Sequence, residues 1–131
     1  MRLLLDTHIA LWAVAEPEKL SLQVREMIID PENDVWVSVV TPWEMAIKHS
    51  VRKPTGNWPP LMVEEAVAAF RYVNFDILAI STAHCAQVAS LPLHHRDPFD
   101  RMMVAQAQVE GLRLLTADSL LAAYGDCILL A

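Results

Sequence analysis

Several short segments of this chain are apolar at consecutive positions: Leu3-Leu4-Leu5, the Val- and Trp-rich run Asp34–Val40, and Leu114-Leu115. A strand with one face in water alternates apolar and polar residues, whereas a strand covered on both faces is apolar throughout. Helix-like stretches separate these runs, so the chain reads as alternating strands and helices. The fold class that follows is α/β: a mostly parallel sheet, right-handed crossovers and helices on both faces.

The spacing predicts strands at Arg2–Leu5, Asp34–Val40, Asn74–Ala79, Arg113–Leu115 and Cys127–Leu130. Helices are predicted from Thr7 to Ala15, from Ser21 to Asp30, from Thr41-Pro42 to Val51, over Leu61–Phe70, over Ser81–Ser90 and from Pro98 to Glu110, where Gly111 closes the last. A short helix is expected over Ala117–Ala123, and the proline-rich stretch Pro54–Pro60 reads as a loop. No repeat, linker or low-complexity tract divides the 131 residues, so residues 1–131 are expected to form one domain. With 54% hydrophobic residues and 3 glycines, a compact core is expected. The longest apolar runs, such as Ile9 to Ala15, are too short to span a bilayer. The start Met1-Arg2-Leu3-Leu4-Leu5 meets Asp6 before a secretory core could form. Cys85 and Cys127 have no metal-type spacing and are expected as reduced core thiols of a cytoplasmic protein.

The acids fall in a pattern. Asp6 follows Leu3-Leu4-Leu5 directly, Glu44 follows the second strand by one helical turn, and Asp118 lies two residues beyond Leu115-Thr116. Three strands thus deliver an acid just past their C-terminal ends, the rim where open parallel sheets bind ligands. Asp100, on the first turn of the helix leading into the fourth strand, reaches that rim if its helix starts there. Each acid also has a plainer explanation. Thr41-Pro42-Trp43-Glu44 has the form of a capping box, with Thr41 as N-cap and Glu44 reaching back. Asp97-Pro98-Phe99-Asp100 has the same form, and Asp118 suits the cap of a short helix. Asp6 resists this account best, because it lies between apolar segments with no Lys or Arg in the dozen residues after it, and Thr7 is available to cap the helix instead.

If the acids converge, two carboxylates ~4 Å apart repel by about 4 kcal/mol at an effective dielectric near 20, which favours uptake of a divalent cation. All-oxygen ligands select Mg²⁺ or Mn²⁺ over zinc, and no histidine pair has zinc spacing beside these acids. His94-His95 reads as loop, with a substrate-facing role open. On the third helix Glu44, Lys48 and Arg52 share one face, which is either a basic track toward the acids or an ion-paired surface. Arg96 and Arg101 flank the Asp97–Asp100 block and either meet phosphate or pair with acids. Met27, Met45, Met62, Met102 and Met103 fall on apolar helix faces and are expected in the core, as are Trp12 and Trp43, with substrate stacking the lesser alternative for the tryptophans.

Taken together, Leu3-Leu4-Leu5-Asp6-Thr7-His8, Ser38-Val39-Val40-Thr41-Pro42-Trp43-Glu44, His95-Arg96-Asp97-Pro98-Phe99-Asp100-Arg101 and Leu114-Leu115-Thr116-Ala117-Asp118 resemble a PIN domain. The similarity is to the VapC-like toxins of bacterial toxin–antitoxin pairs, and it covers nearly the whole chain in order. The resemblance implies a Rossmann-like sheet in the order 3-2-1-4-5 and an RNA-cleaving centre. It implies Mg²⁺ or Mn²⁺ held by Asp6, Glu44 and Asp100, the acids common to the family, and by Asp118, a more variable fourth. Thr7, Ser38, Asp97 and Thr116 match supporting positions. Partners implied are an RNA substrate, a cognate antitoxin protein and a second copy in a homodimer, with no membrane.

The net charge of −6 is unfavourable for a phosphate-binding chain. Setting aside four metal-holding acids leaves −6 + 4 = −2, so charge neither supports nor excludes RNA. Two other readings compete. In a non-catalytic RNA-binding domain on the same fold, the acids would be caps only. A receiver-like signalling domain also gathers acids and Mg²⁺ at a sheet rim, but it needs a lysine after a late strand, and Lys53 is the last lysine here.

Overall fold

The computed structural model describes residues 1–51 and 59–131. Arg52 and nearly all of the Pro54–Pro60 loop lie outside the described residues. The elements run β1 (Arg2–Leu5), α1 (Thr7–Ala15), α2 (Leu22–Ile29), β2 (Asp34–Ser38), α3 (Val40–Val51), α4 (Val63–Tyr72), β3 (Asp76–Leu78), α5 (Thr82–Ser90), α6 (Pro98–Glu110), β4 (Arg113–Thr116) and β5 (Ile128–Leu130), with 3₁₀ turns at Pro17–Lys19 and Ser119–Tyr124. All strand pairs are parallel, and the order is β3-β2-β1-β4-β5. β1 is central, and the chain turns outward to either side of it. The gap between β1 and β4 is therefore the topological switch point, where side chains and ligands find room beyond the strand ends.

The central strand explains the layers. Leu3, Leu4 and Leu5 are each fully buried. Leu3 and Leu5 face a cluster with Ile9 and Leu11 of α1, Val24 of α2, Met45 of α3 and Ala66 and Phe70 of α4. Leu4 faces the other way, onto Met103 and Val104 of α6, Leu114, Leu121 and Ile128. Successive side chains of a strand point to opposite faces, so three consecutive leucines require helices on both. Among the described residues no helix is long and apolar enough to cross a membrane.

Local chemistry sets the boundaries and corrects several expectations. β2 ends at Ser38, because Val39 N–H bonds Leu78 O and Ser38 Oγ accepts from Val40 N at 3.0 Å. Helix α3 accordingly starts at Val40, one residue earlier than expected, and Thr41 is inside it rather than its cap. β3 and β5 are shorter than expected, α4 is displaced by two residues, and the short helix after Asp118 is a 3₁₀ turn. Ser21 caps α2 through Val24 N, as expected, and Gly111 closes α6 at φ 68, a left-handed conformation that glycine adopts without steric penalty. Cys85 is exposed and Cys127 half-buried, so neither is a core thiol. Met45 and Met103 are core, whereas Met62 is exposed and precedes its helix; Trp43 is 47% exposed rather than core.

Phe70 is the largest fully buried side chain and stacks on Phe75 at 6.3 Å beneath the α1–α4 layer. Phe70→Ala is expected to remove about 3–5 kcal/mol of stability, read as a lowered urea midpoint at unchanged m-value. A loss below ~1 kcal/mol would mean that this layer does not hold α4 to the sheet.

Candidate metal centre

Asp6 leaves β1 at the switch point, where its N–H donates to Leu115 O of β4 at 3.0 Å. It is the N-cap of α1, with Oδ1 accepting from Thr7 N at 2.7 Å, so the cap expected of Thr7 belongs to Asp6. Its Oδ2 accepts from Thr116 Oγ1 at 2.6 Å. Asp6 is therefore both a cap and a buried acid, 8% exposed. Burial pushes its carboxyl above the ordinary range; the bonds from Thr116 and Thr7 and the nearby His8 oppose that, and Glu44 adds to it.

Thr7 spends its hydroxyl on Glu44 Oε1 at 2.8 Å and lies 3.1 Å from Thr41 Oγ1. Glu44 does not reach back to cap its own helix. Its second oxygen meets Lys48 Nζ at 2.7 Å, one turn on, and Glu44 itself is buried. The expected capping box fails because α3 starts early and a buried threonine hydroxyl offers Glu44 a better partner than a backbone N–H one turn away.

Asp97 is the cap that the sequence suggests: its Oδ1 accepts from Phe99 N at 2.8 Å and Asp100 N at 3.4 Å. Asp100 is thereby turned inward at the start of α6. Among the described residues its carboxylate caps nothing, and its nearest polar partner is His95 Nε2 at 3.5 Å. Burial and then the charges of Asp6, Asp97, Glu44 and Asp118 push its carboxyl up to about 8. Asp118 caps the following 3₁₀ turn through Leu120 N at 3.0 Å, accepts from His95 Nε2 at 2.8 Å, and donates its own N–H to Thr116 Oγ1 at 3.0 Å.

Asp6, Thr7, Glu44, Lys48, Asp97, Asp100 and Asp118 line one cleft of about 330 Å³, together with His8, Trp12 and Ala117. Five carboxylates thus share a cleft with one lysine, which already pairs with Glu44. This surplus of convergent oxygen ligands, with the Asp6 and Asp100 carboxyls raised first by burial and then by neighbouring acids, fits a divalent cation. The hydroxyls of Thr7 and Thr116 stand behind the acids as expected, while Ser38 is buried and serves the start of α3.

The basic residues divide. Lys48 lies in the cleft wall, and Arg96 is exposed beside it in sequence at the Asp97 block. Arg101 does neither thing expected of it. Its guanidinium is used on Pro92 O at 3.0 Å, Tyr124 OH at 3.1 Å, and the carbonyls of Val88 and Leu91, tying the α5–α6 connection to the rest of the chain. The sequence does not single out His95 as a member of the acid cluster or His8 as a cleft wall; Trp12, expected in the core with substrate stacking the lesser alternative, lines the cleft 5.5 Å from His8. His8 and Trp12 were detectable, since they stand two and six residues past Asp6 on its helix.

A parallel sheet in this order with acids gathered at the switch point is the architecture of a nuclease-type α/β domain. The family model of the PIN domain matches residues 3–126, and the chain belongs to the PIN-domain family. Within it the chain is VapC-like: it is 30% identical over 120 residues to ribonuclease VapC22 of Mycobacterium tuberculosis, covering 88% of this chain and 85% of that protein. In fold it is similar to VapBC2 from Rickettsia felis bound to a DNA fragment from their promoter, with a TM-score of 0.68 at 15% identity over 100% of this chain and 98% of that one. A toxin–antitoxin complex from Klebsiella pneumoniae gives 0.60 at 17% identity, covering 96% and 94% of the two chains.

Between the ordinary carboxyl value of 3.8 and about 8, the folded chain holds on Asp100 a proton that the unfolded chain has lost. Metal-free stability therefore falls as pH rises across that window, the reverse of an ion-paired acid. Asp100→Asn removes the ionisation. In chelator it is expected to melt level with the wild type below about pH 4 and a few degrees higher above about pH 8. Saturation with Mn²⁺ at ~100 times its dissociation constant should raise the wild type by about 2.7 kcal/mol and barely move Asp100→Asn or Asp6→Asn. Equal shifts in all three would separate these acids from the metal site.

Proposed function

We propose that this chain is a metal-dependent endoribonuclease of the toxin kind, hydrolysing RNA phosphodiester bonds and neutralised by a cognate antitoxin. The observation that carries this reading is the convergence of Asp6, Glu44, Asp100 and Asp118, from four separate elements, on one cleft at the switch point. Against the reading of the acids as caps alone, Asp100 caps nothing among the described residues and Glu44 faces Thr7 rather than its own helix start. The ribonuclease named among the relatives supports the substrate class.

Asp6 and Asp100 are the principal ligands in this reading, with Asp118 completing the set and Mg²⁺ or Mn²⁺ the natural ion for oxygen donors. A divalent ion supplies there both the activation of a water and the neutralisation of charge on the phosphate. Glu44, held by Thr7 and Lys48, would orient the attacking water, whose oxygen bonds to phosphorus as the P–O3′ bond breaks; the leaving 3′-oxygen takes a proton from solvent, so the ends left are a 5′-phosphate and a 3′-hydroxyl. Thr7 and Thr116 keep the carboxylates facing the cleft. Lys48, Arg96 and Arg52 meet the RNA backbone; Arg101, consumed by its carbonyl partners, does not. Residues 1–131 act as one domain, in the cytoplasm, as a homodimer. The antitoxin covers the cleft with a segment that folds on binding and places an arginine among the acids.

Asp6→Asn, Glu44→Gln and Asp100→Asn are each expected to lower Mn²⁺-dependent RNA cleavage by about 100-fold or more while keeping the fold, as read by circular dichroism. Cleavage that survives exhaustive chelation, or folded variants that cut at the wild-type rate, would remove the metal mechanism. Expression of the wild type should arrest growth, the Asp6→Asn variant should not, and co-expression of the cognate antitoxin should restore growth. Growth unaffected by the wild type alone would count against the toxin role.

A further inference from the structure

His95 stands in the connection between α5 and α6, with its side chain 13% exposed. Three contacts define its ring. Nδ1 accepts from Asp97 N at 3.1 Å, and Nε2 lies 2.8 Å from Asp118 Oδ2 and 3.5 Å from Asp100 Oδ2. The residue is fixed from behind as well, because its own N–H donates to Tyr124 OH at 3.1 Å.

The ligand-type atoms of His95, Asp100 and Asp118 all lie within 4.8 Å of one another, a spacing compatible with a shared cation. The hydrogen bonding points to a different use. A backbone N–H can only donate, so Nδ1 must present its lone pair to Asp97. A neutral imidazole carries one proton, which therefore sits on Nε2 and is aimed at the two carboxylates. Ligation through Nε2 would move that proton to Nδ1 and set it against the Asp97 N–H, donor against donor.

Asp118 meets the ring through the oxygen that Leu120 leaves open: its side chain is 35% exposed, and Leu120 N–H holds only Oδ1. We propose that His95 is a positioning residue of the nuclease reaction: its Nε2–H clamps Asp118 beside Asp100 so that both face one ion, and it does not ligate the ion itself. The inference rests on the nuclease reading given above.

Two variants separate the functions of the ring. His95→Asn keeps an acceptor where Nδ1 stands and so preserves the Asp97 contact, but it is too short to reach Asp118. His95→Gln places an amide donor near the position of Nε2. His95→Asn is expected to weaken Mn²⁺ binding and lower kcat by about 10- to 100-fold with the KM for RNA unchanged, and His95→Gln to recover to within about threefold of wild type. In the metal-free wild type, ¹⁵N NMR of the imidazole should find the proton on Nε2. With Mn²⁺ bound, electron spin-echo spectra should show no directly coordinated imidazole nitrogen. A proton on Nδ1, a directly coordinated nitrogen, His95→Asn equal to wild type, or His95→Gln no better than His95→Asn would each overturn the clamp. A wild type that binds no Mn²⁺ and cuts no RNA would overturn the nuclease reading and the clamp's part in it. The NMR result, which needs neither metal nor RNA, tells the two failures apart.

Discussion

Like charges held together at the end of a parallel sheet are the constraint around which the rest of this molecule is arranged. Two carboxylates ~4 Å apart repel by about 4 kcal/mol at an effective dielectric near 20, and five share this cleft. Left to themselves they would swing apart into solvent. They are kept in place by donors that hold their oxygens: Thr7 N–H and the Thr116 hydroxyl on Asp6, the Thr7 hydroxyl and Lys48 on Glu44, and Leu120 N–H and His95 on Asp118. Thr116 has a double part, since its oxygen donates to Asp6 and accepts from Asp118 N, joining the ends of β1 and β4 in one short chain of bonds.

Such a site needs stability from elsewhere, and the two apolar layers supply it. Each leucine of β1 is fully buried, a gain on the order of 1.5–3 kcal/mol per side chain relative to exposure. The same strand carries Asp6 at its end, so a fully buried apolar run leads directly into a buried acid. The arrangement is workable because a strand end, unlike a strand interior, has backbone donors to spare. Thr7 N–H, one of the unsatisfied donors of the first turn of α1, is used on Asp6.

The sheet was legible because its signal is redundant. Consecutive apolar residues in Leu3-Leu4-Leu5 can be accommodated only between two helical layers, and the strand order that the family resemblance implies is the one observed. The convergence of Asp6, Glu44 and Asp118 was legible from their positions just past strand ends. What escaped depends on side-chain reach and on competition between donors. The Thr41–Glu44 capping box was reasonable by spacing, yet Ser38 takes over the start of α3 and Thr7, distant in sequence, takes Glu44. Arg101 reads as a phosphate contact beside an acidic block, but the carbonyls at the end of α5 claim its guanidinium. His94-His95 reads as loop with a substrate-facing role open, and adjacent loop residues face different ways. That is the case here: His94 packs edge-on against Tyr124 at 5.0 Å, and it is this divergence that frees His95 to turn toward the acids.

The central position of β1 has a consequence for the order of events during synthesis. β1 emerges first and can pair with β2 once some thirty further residues have appeared, but its other edge waits for β4, whose register sets Leu3 against Arg113. Asp118 and the Thr116 hydroxyl arrive later still. A growing chain therefore holds Asp6 and Glu44 before Asp97, Asp100 and Asp118, the acids that complete the cleft. The threading of the sheet keeps the cleft unassembled until β4 and the residues just beyond it have been made.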